Sequence, residues 1–200
     1  VTSIGEEVFE DCSSLKNVEL SNNITAIGYS AFEGCTKLTS IKIPSSVLSI
    51  KSGAFAGTGM WNNEANWENG VLYIDNCLIF AHPDVVVGEY VIKENTRIVA
   101  AESFYGCEGL TSIVMPEGLK SIDDNAFGDA VNLESFNIPN SVVYMGYMPF
   151  YGTAFFVNQS NWDNAISLYK DNCLICSIAG GSYSIKEGTR LISGLAFWEL

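Results

Sequence analysis

Residues 27–44 read IGYSAFEGCTKLTSIKIP, and this phrase is repeated along the chain of 200 residues. Six copies, which we call coils 1 to 6, begin in order at Ile4, Ile27, Ile50, Ile98, Ile122 and Met145. The usual spacing between starts is 23 residues, but Ile98 and Ile122 are 24 apart and a long insertion precedes Ile98. A fixed period of this size that carries L-x-x-I-x-I is typical of a leucine-rich-repeat solenoid, so the repeat predicts the fold.

Equivalent positions of successive coils should stack into columns of buried side chains. Each coil is expected to contain a short β-branched stretch, a turn of helix or 3₁₀-helix around Ala-Phe, and a strand such as residues 38–43. In that strand Ile41 and Ile43 would point inward and Lys42 outward. The expected interior columns are Leu15/Leu38/Leu110/Leu133, Val18/Ile41/Ile113/Phe136, Leu20/Ile43/Met115/Ile138 and Phe9/Phe32/Phe55/Phe104/Phe127/Phe150/Phe197.

The same register places two columns of mostly small or polar side chains on the outside of the strands. They are Asn17/Ser40/Ser112/Ser135 and Glu19/Lys42/Val114/Asn137. Side chains on a rigid, regularly spaced ladder need little ordering when a ligand binds. We therefore predict that a ligand, if there is one, contacts this surface, which we call the outward strand face.

Two insertions of matching sequence interrupt the repeat. Each contains a predicted β-hairpin, with the two-residue turn Asp75-Asn76 in the first and Asp171-Asn172 in the second. The prediction is one mainly β, right-handed leucine-rich-repeat solenoid over residues 1–200, with short helical turns and two inserted hairpins. Its parts are coils at 1–60, a hairpin insertion at 61–97, coils at 98–155, a hairpin insertion at 156–191 and the start of another coil at 192–200. Because solenoid ends need polar caps, we expect the chain to be a piece of a longer polypeptide.

Composition excludes several classes of function. The chain has 23 acidic and 10 basic residues and a net charge of −13, so its field would repel nucleic acid. A hydrophobic fraction of 48% argues against disorder. No apolar run approaches the roughly 18 residues that a membrane span needs, so direct membrane insertion of this segment is not expected.

The cysteines allow a sharper and a plainer interpretation. Cys12, Cys35 and Cys107 share one column, and a disulfide between stacked coils would fall within bridgeable separations. Parallel side chains give poor bridge torsions, however, so we expect buried free thiols that pack as small hydrophobic groups. Cys173 and Cys176 have redox-motif spacing, but they lie in a predicted strand, where residues three apart face opposite ways.

No cofactor, metal or catalytic residue is predicted. A triad would have to use His82, the single histidine, which lies in a surface loop that the second insertion lacks. The cysteines and His82 form no cluster with zinc-ligand spacing. The run Asp123-Asp124-Asn125 could bind a cation, although helix N-capping is the simpler interpretation.

Three tryptophans flank the insertions. Trp61, Trp67 and Trp162 could stack on sugar rings or anchor a protein partner. They could also cover the joint between hairpin and solenoid, and the matching placement of Trp67 and Trp162 favours that structural role. They remain candidate ligand contacts beside the outward strand face.

The repeated phrase I-G-x-x-A-F-x-G-C-x-x-L-T-S-I-x-I-P resembles the BspA-like, Treponema pallidum-type leucine-rich repeats. The insertion phrase, G-x-L-Y-x-x-N-x-L-I ahead of Y-x-I-K-E-G-T-R, is also similar to segments of those proteins. Ala130-Val131 departs from the Gly-Cys pair and Met148-Pro149-Phe150 departs from x-Ala-Phe. The resemblance implies a bacterial cell-surface or secreted protein used in adhesion and binding, and it carries no catalytic motif.

Three functions are compatible with the sequence. The first is a non-catalytic binding or adhesion module that recognises a protein or glycan on a host or neighbouring cell through the outward strand face. The second is a structural spacer that projects another domain from the cell surface. The third is a glycan-processing enzyme, which would need a carboxylate pair about 5–10 Å apart in a groove; the acids here form no distinctive pair.

Overall fold

The computed structural model describes residues 1–180 and 182–197 of the chain. It is a β-solenoid of about six turns, as the repeat predicts. The strands are β1 (Ser3–Ile4), β2 (Ala26–Ile27), β3 (Ser49–Ile50), β4 (Trp67–Glu68), β5 (Val71–Ile74), β6 (Cys77–Ala81), β7 (Gly88–Val91), β8 (Ile98–Val99), β9 (Leu110–Val114), β10 (Ser121–Ile122), β11 (Ser135–Phe136), β12 (Tyr144–Met145), β13 (Trp162–Asp163), β14 (Ser167–Lys170), β15 (Cys173–Ser177) and β16 (Leu191–Ile192). The helix α1 (Ala154–Val157) and 3₁₀-helices at Glu64–Asn66 and Gln159–Asn161 lie in the insertions or beside them.

Parallel pairing of the first strand of each coil sets the register of the stack. β1, β2 and β3 pair in that order, with Ile4 opposite Ile27 and Ile27 opposite Ile50. In the second block of the solenoid, which contains coils 4 to 6, β10 lies between β8 and β12. Here Val99, and not Ile98, lies opposite Ile122. Coil 4 therefore begins at Val99 and not at the predicted Ile98, and the structural period stays at 23 residues.

The segments that carry Phe are turns and contain no helix, contrary to the prediction. Each has two residues in the left-handed region, four positions apart, which prevents helical continuation. In coil 2 these are Ser30 (φ 48°) and Gly34 (φ 69°). The first position is filled in successive coils by Glu7, Ser30, Gly53, Glu102, Asn125 and Met148. A repeated backbone conformation, rather than a repeated residue type, therefore shapes the turn.

The inward and outward directions predicted for residues 38–43 are confirmed, although the segment is not a regular strand. Leu38, Ile41 and Ile43 are buried, whereas Ser40 and Lys42 are exposed. The segment is not a strand because it has no continuous ladder to a neighbour. In the part of the chain that the structure describes, only β7, β9 and β11 form a sheet at this position of the coil.

The phenylalanine column is two stacks of three rings, not one continuous column. Adjacent rings lie 5.2–5.6 Å apart and nearly parallel in the stacks Phe9/Phe32/Phe55 and Phe104/Phe127/Phe150. The first hairpin separates the stacks, because β6 pairs with β8 where a further coil would lie. Phe197, expected inside, is 48% exposed, and Phe9 in coil 1 is half-buried.

Both predicted hairpins are present. In the first, β5 and β6 are antiparallel and joined by Asp75 (φ 43°) and Asn76 (φ 62°). In the second, β14 and β15 are joined by Asp171 (φ 48°) and Asn172 (φ 59°). Two successive positive φ angles match the right-handed twist of the flanking strands, and Asp and Asn tolerate them better than most residues.

An aspartate and an arginine side chain fasten each hairpin to the coil before it. The Oδ2 atom of Asp75 accepts a hydrogen bond from the backbone N–H of Ile43 at 2.6 Å. The guanidinium of Arg97 donates to the carbonyls of Ile43 and Val47 at 2.7 and 3.2 Å. In the second insertion Asp171 and Arg190 make the equivalent bonds to residues 138 and 142. Charged groups thus satisfy backbone groups that the interrupted ladder leaves without partners.

An ion pair joins the two blocks of coils. The carboxylate of Asp123, fully buried, accepts from the Ile50 N–H at 2.8 Å and from Lys51 Nζ at 3.0 Å. Lys51 Nζ also donates to Asp124 at 2.5 Å. Burial raises the pKa of Asp123. Burial by itself would lower the pKa of Lys51, but the hydrogen bonds to both carboxylates and their negative charges have the larger effect, so the pKa of Lys51 is raised. Asp123 therefore links residues far apart in the chain, and it is neither a helix cap nor a metal-ion ligand.

Leu38→Ala should lower the free energy of unfolding by roughly 2–5 kcal/mol, because Leu38 is fully buried and the coils on both sides limit collapse of the cavity. The control Ser40→Ala, on the outward side, should change it by less than about 0.5 kcal/mol. Chemical denaturation measures both. Equal losses would contradict the inward and outward assignment.

Lys51→Met should lower the free energy of unfolding by about 3 kcal/mol, because it leaves the buried Asp123 carboxylate without its cation. The matched control is Lys42→Met, since the Lys42 side chain is 84% exposed and its pair with Asp75 is worth at most about 1 kcal/mol. Thermal melts at neutral pH compare the two variants. Similar small losses in both would show that this ion pair contributes nothing.

Candidate ligand-binding surface

The structure places the predicted outward side chains on the solvent side of the strands. Seven of them are exposed, namely Asn17, Glu19, Ser40, Lys42, Val114, Ser135 and Asn137. Ser112 is half-buried, because its hydroxyl lies 3.4 Å from Glu89 Oε2 on the neighbouring strand. Ser112 and Ser135 are directly opposite each other between β9 and β11.

The first hairpin divides this surface into two patches, so neither predicted column is continuous. The first patch contains Asn17, Glu19, Ser40 and Lys42. It includes a shallow groove of about 440 Å³. The second patch is the β7–β9–β11 sheet, in which residues lie in fixed register. A ligand of ordinary size would contact one patch or the other.

Two residues of the second patch were missed from the sequence. Glu89 lies opposite Ser112, and Val91 lies opposite Val114. Both are exposed. The alternation around Tyr90, with apolar Tyr90 and Ile92 directed inward, was the available signal. It was hidden because β7 follows an insertion and its coil lacks the usual phrase.

Charge is sparse on the outward strand face. Lys42 Nζ lies 3.0 Å from Asp75 Oδ1 at the boundary with the hairpin. Next to this pair, a groove of about 210 Å³ is lined by Ser40, Met60, Asn66 and other residues of coil 2 and the hairpin. The second patch combines Glu89 with neutral side chains. The arrangement suits a broad contact with mixed polar and apolar groups better than a deep pocket.

The three tryptophans are half-buried, and two of them hold the joints together. Trp67 Nε1 donates to the carbonyl of Trp61 at 2.8 Å, and Trp162 Nε1 donates to the carbonyl of Phe156 at 2.7 Å. Trp67 also stacks on His82, with ring centroids 4.6 Å apart. The matching bonds give Trp67 and Trp162 the same structural contact, whereas Trp61 has Phe156 as its counterpart.

The family model for the BspA type leucine-rich repeat region matches residues 1–84 and 80–199, with six copies. The chain belongs to the BspA-type leucine-rich-repeat family. Membership supports a repeat-based interaction module. A search of curated proteins finds no match.

Among solved structures, the chain is similar to a Treponema pallidum leucine-rich repeat protein, with 25% identity, 80% of this chain and 75% of that chain covered, and a TM-score of 0.36. It is also similar to a leucine-rich cell surface protein of Faecalibacterium prausnitzii, with 28% identity, coverage of 76% and 43%, and a TM-score of 0.45. A third similarity is to the pneumococcal vaccine antigen PcpA, with 25% identity, coverage of 76% and 46%, and a TM-score of 0.43. The chain thus spans less than half the length of the last two.

Among the described residues, no group of three or more histidine, cysteine, aspartate or glutamate side chains is placed to hold a metal ion. No helix in the described ranges is long and apolar enough to cross a membrane.

The cysteines of this BspA-type chain differ from expectation in one place. All six are free thiols, and Cys35 and Cys107 are buried as expected, but Cys12 is exposed. Burial raises the pKa of Cys107 to about 12 and that of Cys173 to about 11. Cys12 is therefore the accessible thiol, while the buried ones are protonated at neutral pH and unreactive.

We expect one thiol, Cys12, to react rapidly with a water-soluble thiol reagent in the folded protein, and all six to react after denaturation without reductant. The other five cysteine side chains are buried, so the reagent cannot reach them in the folded protein. Mass spectrometry of the labelled protein counts the sites, and Cys12→Ser should abolish the fast phase. Four or fewer reactive thiols after denaturation, with an air-oxidation control, would reveal a disulfide.

Proposed function

We propose that this protein is a non-catalytic binding module of a bacterial cell-surface or secreted protein, and that it recognises a protein or glycan through the outward strand face. The observation that carries the proposal is the β7–β9–β11 sheet. Its exposed side chains lie in fixed register on a buried, rigid support, so binding would order few groups.

Charge narrows the partner. A net charge of −13 favours a neutral or basic ligand and disfavours polyanions. The second patch places Val91 and Val114, 61% and 41% exposed, beside Glu89 and Ser112. An apolar pair bordered by polar groups is a common composition for a protein contact site.

The alternative is a spacer that displays another domain. It is supported by the stacking of the coils, since each coil packs directly on its neighbours and the stack extends with each added coil. A spacer, however, needs only soluble side chains on its outward surface. The exposed apolar side chains of Val91 and Val114 do not contribute to solubility. That pair favours binding over spacing.

The test is a pair of triple variants with the same change in charge. The outward set is Ser112→Arg, Ser135→Arg and Asn137→Arg, and the control set is Asn22→Arg, Ser45→Arg and Asn140→Arg at exposed corners after the strands. Wild-type protein is first screened on a glycan microarray and a proteome microarray. For any ligand found, we expect the outward set to weaken binding at least about tenfold, or about 1.4 kcal/mol, and the control set to have little effect.

The result has three other outcomes. Binding lost only in the control set would refute the outward strand face as the site. Loss in neither set would exclude the second patch and leave the first patch and the tryptophan-bearing insertions as the remaining sites. No binding on either array would favour the spacer.

A further inference from the structure

Adjacent turns of the solenoid are joined by a regular set of backbone hydrogen bonds. At four of the five junctions between coils 1 to 6, three N–H groups of one coil donate to three carbonyls of the next at 2.7–3.1 Å. Between coils 2 and 3, for example, residues 30, 32 and 34 donate to residues 52, 54 and 56. The turn backbone therefore has a donor wall on one side and an acceptor wall on the other.

The junction between coils 3 and 4 breaks this rule. The N–H groups of Gly53, Phe55 and Gly57 form the donor wall, and none has an acceptor among the described residues. On the opposite wall, the carbonyls of Ala101 and Tyr105 have no donor within the same part of the chain. Backbone groups without a protein partner bond to water or to another molecule, so this junction offers polar groups to a ligand.

The first hairpin causes the break. Among the described residues, one backbone hydrogen bond joins coils 3 and 4, at the corner where the Ala101 N–H donates to the Ile50 carbonyl at 2.9 Å. Beyond that point, the end of β6 lies inside the stack, and the Ala81 N–H takes the middle carbonyl, that of Ser103, at 2.7 Å. The two turns consequently diverge, and the outer part of the junction becomes a cleft.

This cleft has a volume of about 300 Å³, at the lower end of the range for small-ligand sites. Its apolar lining includes Trp61, Ile79 and Phe80, with the Trp61 and Phe80 rings 5.1 Å apart. Tyr105 stands at the opening with 48% of its surface exposed, and Glu102 is beside it. The cleft therefore combines aromatic surface with polar backbone groups of both kinds.

We propose that this cleft binds one sugar unit of an uncharged glycan. A sugar ring has an apolar C–H face, which suits the aromatic rings, and a rim of hydroxyl groups. Each hydroxyl can accept from the donor wall or donate to the acceptor wall, because it rotates to suit its partner. The site is separate from the outward strand face and does not depend on it.

An extended peptide fits the same cleft less well. Each edge of a β-strand presents N–H and C=O groups alternately. One wall of the cleft only donates and the other only accepts, so half of the peptide groups would face a like group and stay unpaired. An anionic sugar is disfavoured by Glu102 and by the net charge of −13.

Tyr105 is held in position for stacking before any ligand arrives. Its hydroxyl donates to Asp129 Oδ2 at 2.5 Å on the next coil. Its ring lies over Gly128, where an added Cβ would come within 2.9 Å of the ring. A side chain fixed in this way loses little freedom on binding.

The experiment uses the complete chain and three neutral probes: methyl β-D-glucopyranoside, methyl β-D-galactopyranoside and N-acetylglucosamine. A capped alanine tripeptide tests the peptide alternative. Amide NMR follows the N–H signals of Gly53, Phe55 and Gly57, with Phe9 and Asp11 of coil 1, whose N–H groups are already bonded, as internal references. We expect at least one sugar to shift the three cleft signals in a saturable manner, and the references and the tripeptide to show no such effect.

Tyr105→Ala should weaken that sugar about tenfold, as expected for loss of one good aromatic contact. The matched control is Tyr151→Ala, because Tyr151 occupies the same column two coils away, is 42% exposed and lies outside the cleft. Neither change removes a buried side chain, so both variants should fold. Shifts with the tripeptide alone, no saturable shift with any sugar, or equal weakening in both variants would overturn the proposal. None of these results affects the test of the outward strand face.

Discussion

The structure depends on the backbone hydrogen bonds that join each coil to the next. Every coil must present the same donors and acceptors at the same positions, and a period of 23 residues achieves this. The left-handed residues in each turn follow from this requirement. They orient the N–H groups of every second residue toward the same neighbouring coil. The cost of non-glycine residues there, such as Glu102 and Met148, is outweighed by satisfied backbone groups and buried Phe rings.

The insertions show what happens when that constraint is interrupted. A hairpin has its own pairing and cannot offer both walls of a turn, so some groups of the flanking coils need other partners. Asp75, Arg97 and Asp123 supply several of them through charge-assisted bonds. Those contacts keep the two blocks in one stack. The groups that no side chain reaches form the cleft between coils 3 and 4.

The two proposed sites use this scaffold differently. On the outward strand face, the strands provide regular spacing and the side chains provide the chemistry, so specificity can change without altering the coil. In the cleft, the backbone itself provides the polar groups, and side chains such as Trp61 and Tyr105 provide the apolar surface. A hairpin insertion can therefore create a binding site in a solenoid by leaving backbone groups of the flanking coils without partners.

Sequence alone determined the period, the inward side chains and both hairpins, because each depends on residues close together in the chain and is repeated several times. Leu38, Ile41 and Asp75-Asn76 all carried such local signals. Tertiary structure decided the pairing of Val99 with Ile122, the division of the Phe column and of the outward strand face, and the burial of Asp123. These depend on how a hairpin sits between coils and on partners far apart, such as Ile50 and Asp123, 73 residues away. The bond between Ile50 and Asp123 occurs once among the described residues, so it leaves no periodic pattern from which it could be predicted.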